Sequence, residues 1–150
     1  LKEMAKEHGF NSDGDDWWDT EEGMKFLNQR EQNSEFDQNL DKKLTDLFNQ
    51  GGMVITSYTL PWLIQDGVKI WLEGSHESST QRMQSRDNMS SENAFQITKA
   101  RFDKNKALYK KLYGFNFGDD KSVFDVIINT DNLTANQVID VTTETVRKLL

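Results

Sequence analysis

The sequence predicts an α/β fold in which short parallel strands alternate with helices. One observation is that the chain contains three short apolar runs typical of buried strands, at Met53–Thr56, Val68–Leu72 and Val126–Ile128. The other is that segments with helical periodicity separate these runs. Strands separated by helices are usually parallel and joined by right-handed crossovers. We therefore expect the three strands to belong to one parallel sheet.

The composition is that of one acidic domain. The 150 residues include 18 Lys plus Arg and 25 Asp plus Glu, for a net charge of −7. This charge disfavours binding to nucleic acid or a membrane surface, because both attract a basic field. The absence of cysteine excludes a thiol nucleophile and fits a reducing compartment, and we expect a cytoplasmic protein. The sequence contains neither a bilayer-spanning apolar run nor a signal-peptide pattern.

The first elements are predicted to be helices. Leu1–His8 reads as the end of a helix that stops at Gly9, and Asp19 or Thr20 caps a second helix. Trp17 and Trp18 precede that helix and either pack against its start or stack on a base; packing is the more frequent use. The acidic turn nearby lacks the glutamate spacing of a calcium loop, so no metal site is predicted.

A third helix is predicted over Glu35–Gln50, capped by Ser34 and ended by a glycine pair. Its apolar positions form one stripe at helical spacing, made of Phe36, Leu40, Leu44, Leu47 and Phe48. Three aspartates lie off this stripe and are expected to be solvated: Asp37, Asp41 and Asp46.

Two further helices have clear start signals. Thr59 is expected to cap a short helix with Pro61 in its first turn. Thr134 and Gln137 form a capping box that opens the last helix. The apolar face of that helix is expected to pack on the sheet and consists of Val138, Val141, Thr145 and Leu149.

The segment Gln81–Gly114 gathers much of the positive charge of this acidic chain. Two helices are predicted around it, one over Ser75–Arg86 and one that begins after Ser90 or Ser91 and ends at Tyr113. Its cations are Arg82, Arg86, Lys99, Arg101, Lys104, Lys106, Lys110 and Lys111. A guanidinium binds phosphate through two parallel hydrogen bonds, so an anionic ligand is one interpretation. A solvated helix face is the other.

Several motifs occur in the same order as in archaeal-type cytidylate kinases, and the chain resembles that family over nearly its whole length. They are Gly51–Trp62, Val68–Leu72, Arg82-x-x-x-Arg86-Asp87, Leu112-Tyr-Gly114 and Asp119–Thr130. The resemblance implies a P-loop nucleoside monophosphate kinase, with a three-layer fold whose parallel sheet carries helices on both faces. Residues 1–150 would be a single incomplete domain of this type. Residues 1–50 would hold the monophosphate-binding helices, and residues 81–114 would be the lid.

The resemblance also implies an activity, namely transfer of the γ-phosphoryl group of ATP to CMP or dCMP with the help of Mg²⁺. The partners would be small nucleotides, and the oligomeric state stays open. The family's lid arginines, which would stabilise the transferring phosphoryl group, match Arg82, Arg86 and Arg101. Lys2 would meet the acceptor phosphate. Asp37 would face the acceptor nucleotide, with a surface role as the alternative.

The sequence departs from the family pattern at three places. The motif G-x-x-x-x-G-K-[ST], which cradles the ATP phosphates, does not occur in the 150 residues. We therefore expect the chain to be a fragment without the first strands, or another segment to fill their place. Tyr58 stands where an arginine commonly grips the acceptor nucleotide. Leu108 stands where a further lid arginine is common, and Lys104 or Lys106 would replace its charge.

These departures leave alternatives to a cytidylate kinase. One is a non-catalytic nucleotide-binding or interaction module on the same scaffold. Another is a small-molecule kinase with a different acceptor. The base and the sugar of the acceptor are not determined by the sequence.

Overall fold

The structure is a computed structural model that describes Lys6, Gly9, Trp17 and residues 20–150. It divides the chain into two compact units, Leu1–Leu63 and Ile64–Leu150. Apart from Lys6, the helix predicted over Leu1–His8 lies outside the described residues. The assignment of residues 1–50 and 81–114 to binding and lid regions stays a prediction.

The first unit contains three described helices: α1 (Glu21–Gln32), α2 (Glu35–Gln50) and α3 (Leu60–Leu63). The Thr20 hydroxyl caps α1 by accepting the Gly23 N–H at 3.2 Å, as the sequence predicts. The predicted bounds of α2 are also confirmed. Its cap differs in detail, because the Asn33 side chain and not Ser34 accepts the Glu35 N–H, at 3.0 Å.

Three aromatic side chains form the core of the first unit. Trp17, Phe26 and Phe36 are all buried. The ring of Phe26 lies 5.4 Å from that of Trp17 and 4.8 Å from that of Phe36, the latter edge-on. Such tilted and edge-on geometries are the preferred ones for aromatic pairs. The packing interpretation of Trp17 is confirmed.

The strand predicted over Met53–Thr56 is absent, and that prediction was wrong. The segment forms no ladder, and the Val54 side chain is 95% exposed. An apolar run becomes a strand only when a neighbouring strand takes up its backbone hydrogen bonds. No described residue of the first unit belongs to a strand that could do so.

The second unit contains a small parallel sheet of two strands, β1 (Ile70–Glu73) and β2 (Val126–Asn129). Ile70 pairs with Val126, and the register continues to the pair Glu73 and Asn129. Parallel pairing of these two segments is confirmed, and the fold is of the mixed α/β class. The three-layer arrangement stays a prediction.

Between the strands the chain forms two helices, α4 (His76–Asp87) and α5 (Ser91–Tyr113). Ser75 and Ser90 cap them with their hydroxyls, each accepting the N–H three residues later. Asn88 ends α4 in the left-handed conformation, with φ of 49°. Met83 of α4 and Ala94 of α5 are buried, so the two helices pack as a hairpin that follows β1 directly.

An aromatic cluster around Phe117 holds this unit together. The buried ring of Phe117 lies 5.6 Å from that of Trp71 on β1. It also lies 5.5 Å from the rings of Phe102 and Tyr109 on α5. Gly118 has φ of 82°, and a Cβ there would approach the Phe102 ring within 2.7 Å, so only glycine suits this turn. The cluster fixes α5 relative to the sheet.

The last helix, α6 (Ala135–Leu149), begins with the predicted capping box of Thr134 and Gln137. The expectation that its apolar face is buried on the sheet is not met, because none of its residues is buried. Val141 and Leu149 are 42% and 49% exposed. Two strands of four residues each present too little apolar surface to cover a helix of 15 residues. No helix within the described part of the chain is long and apolar enough to cross a bilayer.

Candidate functional site

Both strands of the sheet end at the same edge, and polar residues follow each of them. Gly74 and Ser75 follow β1, while Thr130 and Asp131 follow β2. This edge is where ligands of α/β proteins bind, because the loops after parallel strands meet there. A cleft of about 570 Å³ opens at this edge, lined by Ser78, Gln81, Arg82, Ser85, Arg86, Asp131 and Leu133.

Arg82 reaches the strand ends from the second turn of α4. Its Nη1 donates to the Thr130 hydroxyl at 3.4 Å. The same hydroxyl donates to the carbonyl of Glu73 at 2.8 Å, and so does the Thr130 N–H. A Cβ on residue 74 would lie 2.5 Å from Arg82 Nη2. Gly74 therefore leaves the space that the guanidinium occupies.

Asp131 joins the loop after β2 to the start of α4. Its Oδ1 accepts the Ser75 N–H at 2.7 Å, and its own N–H donates to the Asn129 side chain at 2.9 Å. The hydrogen bond from the Ser75 backbone lowers the pKa of the Asp131 carboxyl, and the positive charge of Arg82 adds to this effect. Asp131 is therefore ionised at neutral pH.

Arg82 differs from other cations of the segment in its partners. It forms no ion pair with a described residue, whereas the Arg86 guanidinium holds the Asp87 carboxylate through Nε and Nη2. The hydrogen bond from Arg86 lowers the pKa of the Asp87 carboxyl, with help from the charges of Arg86 and Arg101. Lys106 pairs with Asp119 on the protein itself, at 2.6 Å. Arg82 is thus a guanidinium in the cleft that a ligand can engage without displacing a carboxylate.

The predicted lid arginines are therefore only partly brought together. Arg82 and Arg86 line the same cleft, as the phosphate interpretation expects. Arg101 lies on α5 and is not among the lining residues, although its charge reaches Asp87. Lys2 lies outside the described residues. The roles of all these residues stay predictions.

In the first unit two of the aspartates expected to be solvated are buried, and that expectation was wrong. Asp37 and Asp41 on α2 are 2% and 5% exposed. The buried Thr59 hydroxyl donates to the Asp41 carboxylate. The apolar stripe alone did not reveal this, because the chain that follows α2 supplies polar partners to a face outside the stripe. Tyr58 is 53% exposed. Contacts of Asp37 and Tyr58 with an acceptor nucleotide stay predictions.

Sequence reasoning missed the roles of Gly74, Thr130 and Asp131 in this cleft. The signal was present, because each follows the end of a predicted strand within three residues. Polar or glycine residues at the carboxyl ends of parallel strands are candidates for a ligand site on that ground alone.

The donors of the cleft fit phosphate better than a metal ion. Two guanidinium groups and the hydroxyls of Ser78 and Ser85 line it, all able to donate to phosphate oxygens. Mg²⁺ requires six oxygen ligands in octahedral geometry. Among the lining residues only Asp131 carries a carboxylate, and it already accepts the Ser75 N–H. In the described ranges no group of three or more His, Cys, Asp or Glu is placed to hold a metal ion. The described residues therefore do not make up a Mg²⁺ site.

The fold and the cleft define a class of protein: a parallel α/β protein with arginine side chains at the carboxyl edge of its sheet. Comparison with known proteins makes the assignment more specific. The Cytidylate kinase-like family matches residues 1–132, and the chain belongs to this family. The resemblance to archaeal-type cytidylate kinases is thereby confirmed.

Curated relatives named cytidylate kinase come from several archaea. The one from Methanocaldococcus jannaschii is 27% identical over 154 residues, covering 99% of this chain and 80% of the relative. Those from Pyrococcus horikoshii and Thermococcus kodakarensis are each 30% identical over 131 residues, covering 87% of this chain and 62% of the relative. The chain thus spans less than two thirds of the latter two. No solved structure matches it significantly.

Proposed function

We propose that this protein transfers the γ-phosphoryl group of ATP to a nucleoside monophosphate, with CMP or dCMP as the acceptor. Family membership suggests the reaction class, and the names of the relatives suggest the acceptor. The observation that carries the proposal is the position of Arg82. Its guanidinium lies at the carboxyl edge of the parallel strands, rests on Thr130, and pairs with no described carboxylate.

The proposed chemistry needs what such a guanidinium supplies. Phosphoryl transfer requires alignment of the reactants and positive charge around the equatorial oxygens, and little covalent assistance. Arg82 would donate two parallel hydrogen bonds to these oxygens. Arg86 would join by exchanging the Asp87 carboxylate for phosphate, since a phosphate also offers two oxygens to its Nε and Nη2 donors. Closure of residues 81–114 as a lid would add Arg101 and Lys106 and exclude water.

The acceptor would be recognised by residues of the first unit. Asp37, which is 2% exposed, would have to be uncovered to meet the nucleoside, whereas the 53% exposed ring of Tyr58 could stack on its base directly. Lys2 would pair with the acceptor phosphate. A tyrosine brings no charge, so we expect looser selection among monophosphates than an arginine at position 58 would give.

The test is an assay of ADP formation by the protein expressed from its complete gene, with ATP and each of CMP, dCMP, UMP, AMP and GMP. We expect turnover with CMP or dCMP above that with the purine monophosphates. Arg82→Ala should lower kcat/KM by about 10²- to 10³-fold, the usual loss when one transition-state donor is removed. Arg82→Lys should keep part of the activity, because lysine retains the charge and loses the fork.

The matched control is Arg147→Ala, which removes an exposed arginine of α6 whose nearest carboxylate, on Glu144, is 4.0 Å away. Its kcat/KM should stay within twofold of the original protein. Absence of turnover with every acceptor overturns the proposal. Calorimetric binding of CMP without turnover would favour the non-catalytic module.

A further inference from the structure

We propose that Thr130 and Asp131, the two residues after β2, are positioning residues that hold Arg82 in place for phosphoryl transfer. The inference rests on the proposed function and extends it, since neither residue is expected to touch the reacting atoms. Thr130 fixes the guanidinium itself. Asp131 fixes the start of the helix that carries it.

Thr130 can present only an acceptor to Arg82. Its side chain is buried, and its single hydroxyl hydrogen is donated to the Glu73 carbonyl at 2.8 Å. A lone pair therefore faces Arg82 Nη1, 3.4 Å away. The Thr130 N–H donates to the same carbonyl at 2.8 Å, so the residue is tied twice to the end of β1. The Thr130 hydroxyl oxygen is thus a fixed hydrogen-bond acceptor for the Arg82 guanidinium.

Asp131 acts further from the guanidinium. Its carboxylate accepts the N–H of Ser75, the capping residue of α4, at 2.7 Å. The Asn129 side chain accepts the Asp131 N–H at 2.9 Å and steadies the turn. These contacts connect the first residue before α4 to the end of β2, although α4 follows β1 in the chain.

The distance along α4 makes this anchor important. Arg82 lies seven residues after Ser75, which is about 10 Å along a helix that rises 1.5 Å per residue. A tilt of about 6° at the base would therefore move the Arg82 backbone by about 1 Å. A misplacement of that size can lower a reaction rate by about 10²-fold. An anchor at Ser75 thus controls the geometry at Arg82.

The first test compares isosteric and conservative variants. Thr130→Val keeps the shape and removes the hydroxyl, and we expect kcat to fall at least tenfold while KM for the acceptor changes less than threefold. Thr130→Ser restores the hydroxyl and should recover at least half of kcat. Asp131→Ala should lower kcat in the same way, whereas Asp131→Asn retains the Oδ1 acceptor and should lie within threefold of the original protein.

The second test asks whether the effect passes through Arg82. In the Arg82→Ala background, Thr130→Val and Asp131→Ala should each change kcat by less than twofold, because their target is absent. Calorimetry with inorganic triphosphate provides a readout that needs no turnover. Thr130→Val should weaken the binding of triphosphate threefold to tenfold in the protein with Arg82. In the Arg82→Ala background the same change should weaken it less than twofold.

The outcomes separate the two proposals. If the enzyme is active and Thr130→Val lowers kcat by the same factor whether residue 82 is Arg or Ala, the positioning role is wrong. The kinase proposal would still hold in that case. A protein without turnover overturns the kinase proposal, and the triphosphate measurements then decide the positioning role by the same comparison. If Thr130→Val does not fold, as judged by circular dichroism, the Asp131→Ala and Asp131→Asn pair decides.

Discussion

Phe117 is the side chain whose removal should most weaken the second unit. It is 4% exposed and touches three aromatic rings, on Trp71, Phe102 and Tyr109, with centroids 5.5–5.6 Å away. Replacing a buried phenylalanine by alanine costs about 3–5 kcal/mol of unfolding free energy. Part of that loss comes from the aromatic ring pairs, each of which contributes about 0.5–1.5 kcal/mol in addition to the burial of apolar area. We expect Phe117→Ala to lie at the upper end, because no single neighbour can fill the space between two helix turns and a strand.

The measurement is urea unfolding followed by far-ultraviolet circular dichroism on the whole chain. Phe95→Ala on α5 is the matched control, since its ring is 40% exposed and contacts His76 at the surface of the helix hairpin. That change should cost about 1–2 kcal/mol, in proportion to the smaller apolar area it uncovers. If the two variants differ by less than 1 kcal/mol, the assignment of the core to Phe117 is wrong.

Three more results are expected. A hydrogen bond from the Ser75 N–H lowers the pKa of the Asp131 carboxyl, so the carboxylate stabilises the fold fully at neutral pH. This stabilisation disappears as the pH falls through the lowered pKa. The Tm difference between the original protein and Asp131→Ala should therefore shrink below about pH 4. A double-mutant cycle of Asp41→Ala and Thr59→Val should give a coupling of about 1.5–3 kcal/mol in urea unfolding, the usual contribution of a hydrogen bond to a charged group; a coupling near zero would contradict the buried pair. Asp87→Ala removes the carboxylate that the Arg86 guanidinium holds and should tighten ATP binding about threefold to tenfold in calorimetry, less so at high salt; unchanged affinity at low salt would show that the pair does not compete with the ligand.

The helices were predictable because their start and stop signals are local. Ser90 caps α5 and Gly114 ends it, as their positions around the charged segment indicate. Thr134 and Gln137 bond reciprocally at the start of α6, three residues apart in the chain. Such signals act within a single turn, so they hold whatever the surroundings are.

The predictions that failed depended on distant partners. Met53–Thr56 has the apolar composition of a strand, yet no described strand pairs with it, and it stays irregular and largely exposed. Asp37 and Asp41 lie off the apolar stripe of α2, and yet they are buried, Asp41 because Thr59 lies 18 residues later in the chain and satisfies its carboxylate. Periodicity reports which residues are apolar and not what will stand opposite them.

The candidate site also combines features that are local in the sequence with contacts between residues far apart in it. The amino-acid sequence alone determined that a cationic helix pair interrupts two parallel strands, because charge, caps and apolar runs are local properties, and its ordered motifs indicated the family. Only the tertiary structure decided which arginine is available. Arg82 meets Thr130 across 48 residues of sequence, and Ser75 meets Asp131 across 56, while Arg86 finds its carboxylate on the next residue. Parallel pairing brings the ends of β1 and β2 to one edge, and the contacts made there cannot be read from either segment by itself.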